Sequence, residues 1–178
     1  TETLFDGQTD QQGNFSFSLN KIKTEDAPGI LNAVFTTRVF ENGGDFSISS
    51  QSIRYSPYDE YVGIRLPEND DNWYSTEQPV RLQGVTVTPT GKQSGNATIQ
   101  IEVYKLDWHW WWDSEDENLG SYVNREYSSS VLSQKVKATD GRFQLDLHIP
   151  KYGRYFIRAT DPSGHTSGLI AYFGSWSD

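Results

Sequence analysis

The chain has 178 residues, 35% of them apolar and 14% aromatic, with 10 Tyr, 9 Phe and 6 Trp. Such ring content argues for a folded chain of one or two domains, since disordered segments are poor in aromatics. Lys plus Arg number 15 against 24 Asp plus Glu, a net charge of −9 that disfavours nucleic acid and anionic lipid as partners, and the absence of cysteine excludes disulfides, thiolate metal sites and a cysteine nucleophile.

No stretch approaches the roughly 18 consecutive apolar residues that span a bilayer. No basic start followed by an apolar core and a small-residue cleavage site marks a signal peptide. The sequence contains no methionine and begins at Thr1, so the chain is expected to be a fragment of a longer protein.

Taken in chain order, the pattern is that of short strands. Phe15-Ser16-Phe17-Ser18-Leu19 alternates apolar and polar residues, as a half-buried strand does. Strands are expected next over 32–40 and 46–53, joined at Asn42-Gly43-Gly44. Val80-Arg81-Leu82 and Val85-Thr86-Val87 alternate with a change of phase at Gly84, which predicts a β-bulge there. Ala97 to Val103 and Phe143 to Ile149 alternate cleanly, and strands over 155–160 and 166–173 close the series around Pro162-Ser163-Gly164. Further turn signals fall at Asp26-Ala27-Pro28-Gly29, Thr88-Pro89-Thr90-Gly91 and Thr139-Asp140-Gly141. Many short strands, frequent turns and no interleaved helical pattern predict an all-β antiparallel sandwich of about seven strands.

An internal repeat adds to this. Thr9-Asp10 with Gly13-Asn14-Phe15-Ser16-Phe17-Ser18-Leu19 resembles Thr139-Asp140-Gly141-Arg142-Phe143-Gln144-Leu145-Asp146-Leu147, 130 positions further on. Each is followed by a strand, a glycine turn and another strand. The chain is therefore expected to hold the C-terminal part of one sandwich over residues 1–58 and a complete second sandwich over 59–178. An incomplete sandwich exposes sheet edges, so two copies could pair strands into a dimer.

The residues that could carry function are few. Trp108-His109-Trp110-Trp111-Trp112 is the densest aromatic string. In an extended strand Trp108, Trp110 and Trp112 face one side and His109 and Trp111 the other. This cluster is a candidate contact or interface site. It suits a stacking platform for a flat ligand, a packed end of the sandwich, or a surface against neighbouring domains. The acidic run from Asp113 places Asn118 where a calcium-binding EF-hand loop needs glycine, so it reads as a solvated loop. His109, His148 and His165 are scattered and form no metal-ligand pattern, and no Gly-x-Ser-x-Gly elbow occurs. Asn14-Phe15-Ser16 and Asn96-Ala97-Thr98 match the glycosylation sequon, a pattern common by chance. No catalytic, cofactor-binding or metal-ligating residue is assigned, and no enzyme activity is expected.

Three segments carry a resemblance: Tyr61-Val62-Gly63-Ile64, Val103-Tyr104-Lys105-Leu106 running into Trp108-His109-Trp110-Trp111-Trp112-Asp113, and Gly153-Arg154-Tyr155-Phe156-Ile157-Arg158-Ala159. Together they resemble the macroglobulin-like domains of bacterial alpha-2-macroglobulins. The segment Thr9-Asp10 to Asp45 is similar to the C-terminal half of such a domain. The resemblance implies a module of a large envelope protein, in the periplasm or on the cell surface, with lipid anchoring through a region outside this sequence as one arrangement. In that family the modules form a scaffold around a bait segment, and a Cys–Gln thioester captures the attacking protease. This sequence has no cysteine, so no functional residue carries over. The implied partners are neighbouring domains of the parent chain and, through the full-length protein, target proteases. A carbohydrate-binding or adhesive sandwich on a cell surface, using Trp108, Trp110 and Trp112, is the alternative that the residues leave open.

Overall fold

The computed structural model describes residues 2–19, 24, 27–69, 72–106 and 130–175. Among them there is no helix, and ten strands fall into three sheets. The first sheet is a hairpin of β1 (Leu31–Phe40) and β2 (Phe46–Tyr55). The second is the five-stranded sheet β4-β10-β9-β6-β7, built from β4 (Trp73–Ser75), β10 (Thr166–Gly174), β9 (Gly153–Thr160), β6 (Ala97–Leu106) and β7 (Leu132–Ala138). The third is the three-stranded sheet β3-β5-β8, from β3 (Tyr61–Arg65), β5 (Val80–Val87) and β8 (Arg142–Leu147).

The second and third sheets face one another as an antiparallel sandwich. Their inward positions are those the alternation marks: Ile99, Ile101 and Val103 of β6, Tyr155, Ile157 and Ala159 of β9, and Leu82 and Leu147 from the opposite sheet. Each such Leu, Ile or Val stabilises the fold by about 1.5–3 kcal/mol relative to exposure. The short β4 runs parallel to β10, through Tyr172↔Trp73 and Phe173↔Tyr74, and brings the described strands of the sandwich to eight. Its three residues offer too short a pattern to be read from sequence.

The bulge expected at Gly84 is absent. β5 pairs in unbroken register with β3 from Gln83 to Val87 and with β8 from Val80 to Val85. The inward phase is Leu82, Gly84 and Thr86, while Val85 faces outward. The reason is the Gly84↔Phe143 pair: a Cβ on Gly84 would lie 1.9 Å from the tip of the Phe143 ring. The glycine leaves the space that the ring fills. The same device recurs on the outer face of the larger sheet, where Phe156 lies against Gly168 and Trp73 against Gly174.

The turns share one construction. In Asp10–Asn14, Glu41–Asp45, Thr88–Lys92 and Asp161–His165 the first N–H donates to the fifth carbonyl and the fourth N–H to the first carbonyl. The fourth residue is always glycine with positive φ: Gly13 at 79°, Gly44 at 91°, Gly91 at 83° and Gly164 at 93°. This is the three-residue hairpin loop that ends in a left-handed residue, a geometry that favours glycine.

Two elements of the expected repeat therefore separate. Glu41–Asp45 and Asp161–His165 are the same turn, but the Asp10 turn is unlike its sequence match at Asp140. Thr139 and Arg142 instead close a tight turn in which Asp140 and Gly141 both have positive φ, at 50° and 70°. Residues 15–19, expected as a strand, belong to no sheet. Their alternation is spent on a ring cluster, Phe5 with Phe15 at 4.0 Å and Phe15 with Phe17 at 5.5 Å between centroids. Alternation defines a face; a strand also requires a partner for its backbone.

Candidate functional site

The most densely bonded polar cluster lies where β2 leads into β3, against the β9–β10 turn. The turn is ordered by Asp161, whose Oδ1 accepts from the backbone N–H groups of Ser163 at 2.9 Å and His165 at 3.1 Å. Asp10 does the same for Gln12 and Asn14 in its own turn. A short carboxylate at the first turn position mimics a backbone acceptor, which is why Asp suits it. What distinguishes Asp161 is burial: its side chain is 0% exposed. Its Oδ2 has no hydrogen-bond partner among the described residues.

His165 follows the turn and is itself buried. Its Nδ1 accepts the Val62 N–H at 3.1 Å, so that nitrogen carries no proton. With Nδ1 bare, the proton of the neutral ring sits on Nε2. Two tyrosines frame the imidazole, Tyr61 at 4.7 Å and Tyr58 at 5.3 Å between centroids. Tyr58 Oη–H donates to the Ala27 carbonyl at 2.6 Å, and the Tyr61 hydroxyl lies 2.6 Å from Ser56 Oγ. The cluster thus ties residues 27–28, the linker 56–60 and the sandwich together. Burial pushes the His165 pKa below its ordinary value, opposed by the nearby Asp161 carboxylate and the Pro28 carbonyl.

Asp161, Ser163 and His165 are the residue types of a hydrolytic triad, but their bonding is structural. Ser163 Oγ lies 2.7 Å from Asp161 Oδ1 and 3.1 Å from the Glu60 carbonyl. Nδ1 is occupied by the Val62 N–H, and the serine hydroxyl bonds Asp161 and the Glu60 carbonyl, so no base is presented to it. The arrangement fastens two parts of the chain.

A second feature is a row of rings across the outer face of the larger sheet. Trp73 of β4, Tyr172 of β10 and Arg154 of β9 stand in register. The two rings are nearly parallel at 6.3 Å, and the Arg154 guanidinium lies 5.8 Å from the Tyr172 ring centre. Tyr152 adds an exposed ring 6.0 Å from Trp73. Two residues along, Ile170, Phe156 and Tyr104 form a small apolar cluster with Leu106. Beyond it Arg158 donates to Glu102 at 2.7 Å and to the Tyr104 hydroxyl at 2.7 Å.

The cluster singled out by sequence, Trp108, His109, Trp110, Trp111 and Trp112, lies outside the described residues, as does the acidic run from Asp113 to Asn118. His148 is exposed just past β8, far in role from His165. Sequence reading missed the junction. Its signal was available in Asp161-Pro162-Ser163-Gly164-His165, where a turn-ordering Asp and a His share one turn, but nothing in the pattern announces that Tyr58 and Tyr61 pack on that ring.

The described strands form an all-β sandwich module, and a family model assigns it. The family model for bacterial macroglobulin domain 6 matches residues 63–176, well over half of the sequence. The chain belongs to the bacterial macroglobulin domain family. Among solved structures, the Yersinia pseudotuberculosis adhesin InvE is similar at 11% identity and a TM-score of 0.42, over 94% of this chain and 52% of its own. Salmonella alpha-2-macroglobulin reacted with methylamine is similar at 16% identity and 0.37, over 88% of this chain and 11% of its own. The extracellular domains d3–d4 of rat CD45 are similar at 10% and 0.32, over 97% and 80%. The chain thus spans about half of the adhesin structure and about a tenth of the Salmonella protein. No curated protein sequence matches it.

Proposed function

We propose that this chain is a structural module of a bacterial alpha-2-macroglobulin-like endopeptidase inhibitor, working outside the cytoplasm as part of a protease-trap scaffold. The observation that carries the reading is the family match over 63–176, which coincides with the sandwich from β3 to β10. The junction supports it: the groups with chemical potential are spent on holding the linker to the sandwich. The β1–β2 hairpin also supports it, since its residues are half-buried at most and its faces suit a neighbouring domain of the parent chain. In this role the chain does no chemistry; it keeps rigid bodies in fixed relation until a cut elsewhere lets them move. Incubating the chain with a panel of endopeptidases tests this. The expected result is no inhibition and slow cleavage confined to residues outside the sandwich. Stoichiometric inhibition by this chain alone overturns it.

A second reading, a carbohydrate-binding or adhesive module, is favoured by the outer-face row of half-buried Trp73 with exposed Tyr172 and Tyr152. Ring faces of this kind stack on sugars. A glycan panel read by tryptophan fluorescence, with Trp73→Ala as control, separates the two: a saturable shift lost in the variant supports this reading, and silence removes it. Pairing of two copies through the hairpin edges belongs to either reading and is tested by sedimentation against concentration.

A further inference from the structure

His165 is the one described histidine that is buried, and it sits at the only place where the N-terminal segment, the linker and the sandwich are seen to share side-chain bonds among the described residues. Its neutral form is specified by one bond: the Val62 N–H requires a bare Nδ1, so the ring's proton stands on Nε2. Opposite Nδ1, at 3.9 Å, stands Asp161 Oδ2, buried and without a hydrogen bond among the described residues.

We propose that His165 is a pH-operated latch. Neutral, it clamps the start of β3 to the β9–β10 turn; protonated on Nδ1, it gives up Val62 and pairs with Asp161. The proton that arrives on Nδ1 occupies the lone pair that Val62 used, so two N–H groups then face each other and the bond cannot persist. The new Nδ1–H finds the unused carboxylate oxygen within a short ring movement. The latch releases Val62 and loosens the linker.

The titratable groups facing the ring are Asp161, from its own turn, and the phenols of Tyr58 and Tyr61, from the linker and β3. Glu60, on the linker, meets the turn through its backbone carbonyl. Ala27 and Pro28 bring no charge. Among the side chains facing the ring Asp161 is the carboxylate, and it is placed to receive the proton-bearing ring. The sign follows from burial. The folded-state pKa lies below the free value of about 6.5, so the clamp is complete above that pH and fails as pH falls through the folded value.

The test is nitrogen-resolved NMR of the native chain from pH 8 to pH 5. At high pH His165 is expected in the Nε2–H tautomer, with a midpoint below 6.5. The Val62 amide shift should follow the same midpoint, and its intrinsic-rate-corrected protection from exchange should fall about tenfold or more on the acid side. In His165→Asn the side-chain oxygen replaces Nδ1 as acceptor without titrating, and Val62 protection is expected to be flat with pH. An Nδ1–H tautomer at high pH, or a Val62 amide indifferent to the His165 titration, overturns the latch. So does a pH-dependent Val62 in the variant. If the variant does not fold, the native titration alone decides.

Discussion

The hairpin β1–β2 and the sandwich strand β6 carry the same kind of sequence and meet opposite fates. Phe46-Ser47-Ile48 and Ile99-Gln100-Ile101 alternate alike, yet Ile48 is 56% exposed and Ile101 is 0% exposed. The hairpin is fully paired, from Leu31↔Tyr55 to Phe40↔Phe46, and its cross-strand side chains bond, as in Ser52 to Asn32 at 2.7 Å. What it lacks among the described residues is a second layer. Ladder hydrogen bonds exchange for bonds to water at a net gain of only about 1 kcal/mol each, whereas burial against an opposing sheet supplies the driving force. A two-stranded ribbon alone is marginal in water. Stability in this chain therefore resides in the sandwich, and the hairpin is held by its base.

The sharpest way to break that comparison is to make one substitution in both places. Ile101→Ala is expected to cost about 4 kcal/mol, the upper part of the range for deleting a buried aliphatic side chain, and Ile48→Ala less than about 0.5 kcal/mol. Urea midpoints of the two variants check this, and similar losses would mean that the hairpin is covered in solution. Next in size is Gly84→Ala. Phe143 occupies the space where the new Cβ must go, so a loss of about 2–3 kcal/mol is expected, against little change for Gly43→Ala, where no atom lies within 4 Å of the added Cβ. A smaller effect is the fall in stability expected as pH drops below about 6.5, as the buried His165 takes up a proton more readily in the unfolded chain; thermal midpoints at pH 7.5 and 5.5 read it. The smallest effect is expected from Arg81→Ala. Its pair with Asp146 spans 2.8 Å but both side chains are more than half exposed, so the midpoint should stay within experimental scatter and be insensitive to salt.

The sequence made strands legible where period-two alternation reports directly on a half-buried face, and the strands over 97–106 and 142–147 fall where it puts them. At Gly84 local alternation follows Val85, the larger apolar side chain, whereas the core takes Gly84 and Thr86 because Phe143 arrives from the next strand. A cross-strand partner is invisible to a local pattern. The segment 15–19 failed for a related reason: the pattern names a face and says nothing of whether a backbone partner exists. The junction was hidden for a third reason, since Val62 and His165 stand 103 positions apart and only the fold brings them together.

The sandwich holds the stability, while the hairpin depends on its attachment. Native-state hydrogen exchange at low protein concentration measures this directly. Amides of β5, β6 and β9 should exchange only through global unfolding, and those in the middle of β1 and β2 at least a hundredfold faster. Equal protection of the hairpin and β6 in the dilute chain would contradict it.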